Sequence, residues 1–335
     1  MLLIMSDEHD VSTHHVIDWL LHLKIPYYRI NDTCSVSVDY LTTHNNNFGF
    51  KLSITSPYSA IPFFICANDI KGYWYRRGSF ELKEIKIQEV KSPYLNIVKE
   101  KFNNYLEDEN KKIVDFFHKY LTTIPHLGCF LDNFTINKVF ILHQAQKEKI
   151  LIPEFIITTR KSDLELFMNK HDDCITKGID RNGFNIYKGI GLGNLATLVT
   201  SSELDRIPTT FNYSFIQQYI DKKADIRVFY IDGKIFSTAI FSQNDEQTKV
   251  DFRNYNREKP NRIQPFKLPD NEEQKLRKLM KKLNYKTGSI DYVLDKNNKI
   301  YFLEINPIGQ YGFIDYRCNL FLDKNICDYF KMRIG

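Results

Sequence analysis

Glu304 and Asn306 lie two residues apart in the segment Lys299 to Asp315, KIYFLEINPIGQYGFID, and side chains at i and i+2 of a strand share one face. Read as a regular strand, the segment sends Phe302, Glu304 and Asn306 one way and Tyr301, Leu303 and Ile305 the other. Two hard oxygen ligands then project together from an otherwise apolar element. The preceding run, GSIDYVLDKNNKI, is also β-rich, and the polar DKNNK between the two has the length of a hairpin connection. With Asn297 and Asn298 as a two-residue turn, antiparallel pairing joins Lys296 to Lys299 and sets Asp291 opposite Glu304. Opposed residues share a face, so Asp291, Glu304 and Asn306 converge. Two carboxylates and an amide suit Mg2+ bridging substrate phosphates. The competing reading is a pair of solvent-facing strand acids.

Basic residues are the second chemical feature. Arg227 stands in DIRVFYI, where alternation puts a guanidinium on a strand face together with Phe229 and Ile231. A buried arginine needs an anionic partner, and Asp225, another acid of the same lobe or a bound phosphate would each serve. Lys177 follows Cys174 and Ile175 in the apolar run CITKGI, either as a strand-end lysine or as a ligand-facing one. Lys138 opens the helix-like NKVFILHQAQ, where a solvated face is the alternative. Arg253 in VDFRNY is either a hairpin-end charge or a site residue. His9, His14 and His15 beside Asp7, Glu8 and Asp10 fall at a strand exit and helix start, which favours loop or cap roles over a metal cluster.

The elements that must position these residues are legible in outline. An apolar strand (LLIM), a helix after Ser12 capped by Ser12 or Thr13, and a strand around PYYRIN give a βαβ beginning. GYWYRRG (Gly72 to Gly78) reads as an edge strand with exposed arginines or as a functional motif. A helix from Asn96 to about Tyr120 is expected to break at the polar EDENKK. A helix over Ile136 to Lys147 leads into the strand ILIPEFIITT. The segment from Ser214 to Gln243 reads as a strand, a short connector, then two strands joined by Asp232-Gly233, a type I′ turn signature. One further helix is expected over Asn271 to Leu283. The glycine-rich stretch from Thr176 to Asn194 lies mid-chain, not after a first strand, so its G-x-G is read as a mobile flap and not as a dinucleotide fingerprint.

At 335 residues and 43% hydrophobic, the chain can bury a sizeable core and divide into two or three lobes. No run approaches the ~20 apolar residues of a spanning helix. The start, MLLIMSDEHD, turns acidic early and lacks a basic n-region, so a cytoplasmic protein is expected. Six cysteines form no C-x-x-C pair, which argues against zinc or a disulfide framework. A net charge of +5, spread along the chain, gives little support to nucleic-acid binding, and no membrane partner is expected.

DYVLD, a hairpin and FLEINPIGQ together resemble the metal-binding end of an ATP-grasp ligase. More narrowly, the chain is similar to the graspetide synthetases, microviridin-like and grasp-with-spasm maturases that cyclise ribosomal peptides. The resemblance runs in order through YWYRRG, Lys138, Lys177, QQYI, Arg227, Arg253, Asp291 and EIN. It implies an α/β (α+β) ATP-grasp fold: a pre-grasp βαβ lobe with connecting helix over residues 1–122, a central lobe over 123–207, and a β-rich grasp lobe over 208–335. ATP and Mg2+ are the implied cofactors. By the same resemblance Lys138 and Lys177 bind phosphates, main-chain groups around Gln218 and Ile220 meet adenine, and Asp221 reaches the ribose. Arg227 and Arg253 serve the reacting phosphate, and Asp291, Glu304 and Asn306 hold the metal.

The implied function is activation of Asp or Glu carboxylates of a ribosomal precursor peptide, leader plus core, as acyl phosphates. Capture by Ser or Thr hydroxyls or Lys amines then gives macrolactones or macrolactams. A homodimer is implied as well. The alternatives are an amino-acid ligase of the glutathione-synthetase or ribosomal-protein glutamate ligase type, and a catalytically silent peptide- or nucleotide-binding protein.

Overall fold

The chain, in a computed structural model, divides into two compact units, Met1–Thr135 with Phe321–Gly335, and Ile136–Leu320. The structure describes residues 1–79, 81–83, 93–171, 173–179, 185–187, 190–192 and 195–334. Among the described residues no helix is long and apolar enough to cross a membrane.

In the first unit a parallel sheet has the order Tyr27–Asn31, Leu2–Ser6, Gly72–Tyr75, His126–Leu127. Gly72–Tyr75 is therefore an inner strand, not the expected edge. Tyr73, Trp74 and Tyr75 are buried, and the buried Arg76 guanidinium lies 3.3 Å from Asp10. Helix Val11–His22 starts two to three residues earlier than expected, because Asp10 and not Ser12 or Thr13 is the cap and accepts the free first-turn amide, Thr13 N–H, at 2.9 Å. A long hairpin, Ser35–His44 with Asn47–Thr55, builds a second sheet.

Helix Pro93–Leu121 runs through EDENKK without the expected break. Lys111 pairs there with Glu107 at 2.8 Å and Asp108 at 3.4 Å, spacings that support a helix modestly, while Phe116, Phe117 and Tyr120 pack on Phe48 and Phe50. The C-terminal helix Leu322–Ile334, absent from the sequence reading, returns to this unit. Its Tyr329 hydroxyl donates to His126 O at 2.9 Å.

The second unit carries two antiparallel sheets. One has the order Thr197–Val199, Cys174–Lys177, Thr210–Gln218, Phe155–Arg160. The other has the order Arg262–Phe266, Lys234–Phe241, Lys222–Ile231, Thr287–Asp295, Ile300–Asn306. Alternation on Lys222–Ile231 buries Ala224, Ile226, Val228 and Tyr230 against helices Lys138–Lys147 and Asp270–Lys282, through Ile141, Leu142, Leu276, Leu279 and Met280. Asp225, Arg227 and Phe229 are left to the opposite face. The Asp232-Gly233 turn has positive φ at both residues, +41° and +97°, as a type I′ turn requires. A short helix, Gly312–Cys318, follows the EINP strand and was not anticipated either. The flap expected over Thr176 to Asn194 lies largely outside the described residues.

Candidate active site

The hairpin between Thr287–Asp295 and Ile300–Asn306 fixes the acids. Asp291 and Glu304 are Cα partners in the antiparallel ladder, as the sequence predicts, but by a different route. The connection is not a two-residue Asn297-Asn298 turn closed by Lys296 and Lys299. Asp295 N–H donates to Lys299 O at 2.9 Å, and the Asp295 carboxylate accepts Asn297 N–H and Lys299 N–H at 2.8 and 2.7 Å. Asn298 takes a left-handed φ of +63°. The longer loop shifts the register by one, and a bulge between Asp291 and Tyr292 in the ladder, opposite the extra residue Leu303, shifts it back.

The bulge also breaks alternation. Phe302 and Ile305 both enter the core, while Leu303 and Glu304 both line a cleft. Phe302 thus does not share the face of Glu304, contrary to the regular-strand reading, because one unpaired residue resets the side-chain direction. Asn306 lies two residues past Glu304, and its Oδ1 also accepts Ile308 N–H at 3.1 Å, shaping the Pro307–Gln310 exit. Gly309 in that exit has no room for a side chain: a Cβ there would overlap Ser289 and come within 3.2 Å of Arg227 Nη2.

The cleft encloses about 660 Å³, part of it open to solvent, and is lined among others by Lys177, Gln217, Tyr219, Arg253, Asp291 and Glu304. Basic side chains converge on the two acids. Arg227, buried, donates from Nη1 to Asp291 Oδ1 at 2.6 Å and from Nη2 to Gln310 O at 2.9 Å. Its internal partner is thus Asp291 and not Asp225, whose carboxylate takes Lys222 at 2.7 Å and Ser242 at 2.6 Å. The buried Arg227 Nε–H has no hydrogen-bond partner among the described residues. Lys138 lies 3.3 Å from Glu304 Oε2 and donates to Gly178 O at 3.0 Å, so its ammonium is turned toward Glu304 and not onto a solvated helix face. Arg253 lies 3.5 Å from Glu304 Oε1, in the long loop that joins the paired strands Lys234–Phe241 and Arg262–Phe266. Lys177 sits over the Phe215 ring at 5.5 Å.

These charges set one another's protonation. Burial would raise the Glu304 carboxyl, but Lys177, Lys138 and Arg253 outweigh it and hold it at about 2. Burial lowers the Lys177 ammonium to about 8, with Lys138 and Arg253 adding to the fall and Glu304 and Asp291 opposing it. Burial also works against the Arg253 guanidinium, yet Asp251 and Glu304 overcome it and raise its pKa. Glu304 is thus ionised at neutral pH, held so by the cations gathered around it.

Of the hinge residues, Gln218 and Ile220 line the same cleft. Gln218 N–H donates to Glu154 O at 2.9 Å and Tyr219 N–H to Asp173 O at 3.0 Å, whereas Ile220 N–H has no such acceptor among the described residues. Asp221 is exposed and pairs with Lys296 at 2.5 Å. Sequence reasoning missed Asp251, which grips Arg253 through Nε at 2.9 Å and Nη2 at 2.7 Å. The Asp-x-Arg spacing in VDFRNY was the available signal. It also missed Lys222, whose ammonium donates to Val250 O at 3.1 Å and so ties that loop to the sheet.

The donor set fits a hard divalent cation: all oxygen, two carboxylates and one amide. Among the described residues no group of three or more His, Cys, Asp or Glu forms a metal cage, and magnesium is commonly held by one or two carboxylates together with substrate phosphates.

Residues 135–330 match the RimK-like ATP-grasp domain family. The sequence matches no curated protein. Among solved structures, the chain is similar to a Chryseobacterium gregarium RiPP-associated ATP-grasp ligase in complex with ADP and a leader and core peptide, with a TM-score of 0.77 and 19% identity over 99% of this chain and 96% of that one. It is similar to the macrocyclase MdnC of Microcystis aeruginosa, bound with precursor peptide MdnA, with a TM-score of 0.72 and 21% identity over 98% of each chain. The ATP-grasp ligase PsnB, complexed with a phosphomimetic variant of a minimal precursor, Mg and ADP, gives a TM-score of 0.66 at 13% identity, covering 100% of this chain and 98% of that one. At these identities the likeness is one of fold.

Proposed function

Because the chain belongs to the RimK-like ATP-grasp family, we propose that it is an ATP-dependent ligase that closes ester or amide bonds within a ribosomally made precursor peptide. The observation that carries this reading is the pairing of Asp291 with Glu304 inside a ring of Lys138, Lys177, Arg227 and Arg253. Four cations with two paired acids suit a triphosphate that arrives with a metal. Support for a peptide as substrate comes from the structures of similar fold, which carry leader, core or precursor peptides.

Asp291, Glu304 and Asn306 hold Mg2+, which when bound neutralises phosphate charge and orients the transferred group. Lys138 and Lys177 bind phosphate oxygens. Ile220 N–H and the main chain at Gln218 meet the adenine edge, and Asp221 exchanges Lys296 for a ribose hydroxyl. Arg227 offers its Nε–H, which has no hydrogen-bond partner among the described residues, and Arg253, braced by Asp251, a second fixed donor, to the charge that develops on the γ-phosphate.

A carboxylate oxygen of the peptide attacks the γ-phosphorus, the bond to the bridging oxygen breaks, and ADP leaves. A Ser or Thr hydroxyl or a Lys amine then attacks the acyl carbon, phosphate departs with the C–O electron pair, and the attacking group loses its proton. Both steps need positioning and charge stabilisation more than a nucleophilic side chain. A homodimer is the state that the resemblance implies, read as mass by light scattering.

The test is incubation of the protein with Mg2+, ATP and a candidate precursor rich in Ser, Thr or Lys and in Asp or Glu. The expected result is ADP release matched by the loss of one water per bond in the peptide mass. ADP release that depends instead on a free amino acid, with a gain in acceptor mass, selects the amino-acid ligase. Absence of both with a folded, ATP-binding protein removes the ligase reading.

A further inference from the structure

Lys222 and Asp225 are buried in the wall of the cleft, and no step of the proposed reaction uses either. Regular alternation along Lys222–Ile231 would send Lys222 to the core face with Ala224 and Ile226. Instead the ladder with Thr287–Asp295 pairs Lys222 with Asp295 and Ala224 with Leu294, so Lys223 is an extra residue. A bulge of this kind re-aims a side chain, and here Lys222 and Asp225 come to line the same cleft. The ammonium donates to Asp225 Oδ1 at 2.7 Å and to Val250 O at 3.1 Å. The other carboxylate oxygen, Asp225 Oδ2, accepts the Ser242 hydroxyl at 2.6 Å.

Ser242 opens the loop between Lys234–Phe241 and Arg262–Phe266, and Val250 lies near its middle. The ion pair therefore closes the first half of that loop at its base. Further bonds cross it from Thr248 Oγ1 to Ser242 O at 2.9 Å and from Gln243 Nε2 to Lys249 O at 3.0 Å. From this base the chain runs directly into Asp251 and Arg253, whose guanidinium lies 3.5 Å from Glu304. A buried ion pair is a weak source of stability, since an apolar pair of similar volume often does as well or better. Apolar side chains could not, however, hold a hydroxyl and a main-chain carbonyl at fixed distances. We propose that the Lys222–Asp225 pair is a positioning clamp for Arg253: it fixes both ends of the segment from Ser242 to Val250, and thereby the point from which Arg253 reaches the reacting phosphate. This rests on the ligase reading given above and adds to it how one of the arginines is held. Placement matters at that point, because a shift of about 1 Å costs about a hundredfold in rate.

The contact that reports on the clamp is the one with the γ-phosphate, which the non-hydrolysable analogue AMPPNP has and ADP lacks. Titration calorimetry on the full chain with Mg2+ compares the two nucleotides. Wild type is expected to bind AMPPNP roughly tenfold or more tightly than ADP, the scale of one hydrogen bond to a charged group. Lys222→Met/Asp225→Asn removes both charges and the hold on Val250 O, and leaves an amide oxygen for the Ser242 hydroxyl. It is expected to lose most of that preference with its ADP affinity unchanged. Arg253→Met loses the preference to the same extent, and the three substitutions together lose no more, because the clamp acts through Arg253. Thermal melts separate placement from folding: Lys222→Met alone strands the Asp225 carboxylate and melts low, and the double variant recovers part of the loss. Ser242→Ala, which frees the other end of the segment with both charges in place, also reduces the preference and answers the question if the double variant does not fold.

An AMPPNP preference kept by the folded double variant, or by Ser242→Ala in its place, overturns the assignment. An equal fall in affinity for both nucleotides overturns it as well, since a merely structural pair behaves in that way, and so does an additive loss on combination with Arg253→Met. Wild type that binds both nucleotides without preference removes the clamp and leaves the nucleotide site standing. If wild type binds neither, the ligase reading falls and the clamp with it.

Discussion

Glu304→Gln removes one charge from the centre of the cation ring and leaves its shape intact. The Glu304 carboxyl is held at about 2 against an ordinary 4.5, the pull of Lys177, Lys138 and Arg253 having overcome burial. That difference corresponds to about 3 kcal/mol of favourable interaction with the basic neighbours. The side chain is 20% exposed, so solvent takes little of it, and a loss of ~2–3 kcal/mol in unfolding free energy is expected at pH 7. The sign follows from the depressed folded-state pKa: the stabilisation is complete above pH 4.5 and disappears as pH falls toward 2.

Urea unfolding of wild type and variant should therefore differ at pH 7 and converge on acidification below pH 4.5. Metal-free ATP should rescue the variant more than wild type, since the triphosphate supplies the missing anions. Adding Mg2+ on top of ATP should stabilise wild type and leave the variant unchanged, and turnover should fall by roughly a hundredfold or more. Equal stability at pH 7 together with an undiminished magnesium increment would refute both the electrostatic reasoning and the placement of the metal on Glu304.

Arg227→Met leaves Asp291 buried without its 2.6 Å partner and should cost ~3–5 kcal/mol in a thermal melt, with part recovered in Arg227→Met/Asp291→Asn; a neutral single variant would show that the pair is not desolvated. Lys177, lowered to about 8 by burial, attracts phosphate only when protonated, so nucleotide affinity should drop as pH rises through 8. Binding near pH 8 should take up a proton, measurable by calorimetry in buffers of different ionisation enthalpy, and Lys177→Met should abolish the uptake.

The strand Lys222–Ile231 was readable from its own residues. Period-two alternation in KKADIRVFYI, closed by Asp-Gly, decides that Ile226 and Val228 go inward and that Arg227 faces the other way, because successive side chains of a strand point to opposite faces. The opposition of Asp291 and Glu304 was predicted too, but only because two local deviations cancel. The Asp295-capped loop is one residue longer than a two-residue turn, and the bulge at Leu303 takes that residue back. Neither has a strong sequence mark, since each is fixed by what Phe302 and Ile305 must fill in the core of the second unit.

Residue types and spacings alone thus determined that Asp291 and Glu304 would meet on a β-hairpin, since a strand's two-residue period is a local property. Contacts between segments remote in sequence decided the rest: Arg253 reaching Glu304, Trp74 and Tyr75 lying on an inner strand, and the last helix returning to the first unit. Such pairings depend on which surfaces find each other when the chain is packed, and no periodicity within a single segment records them.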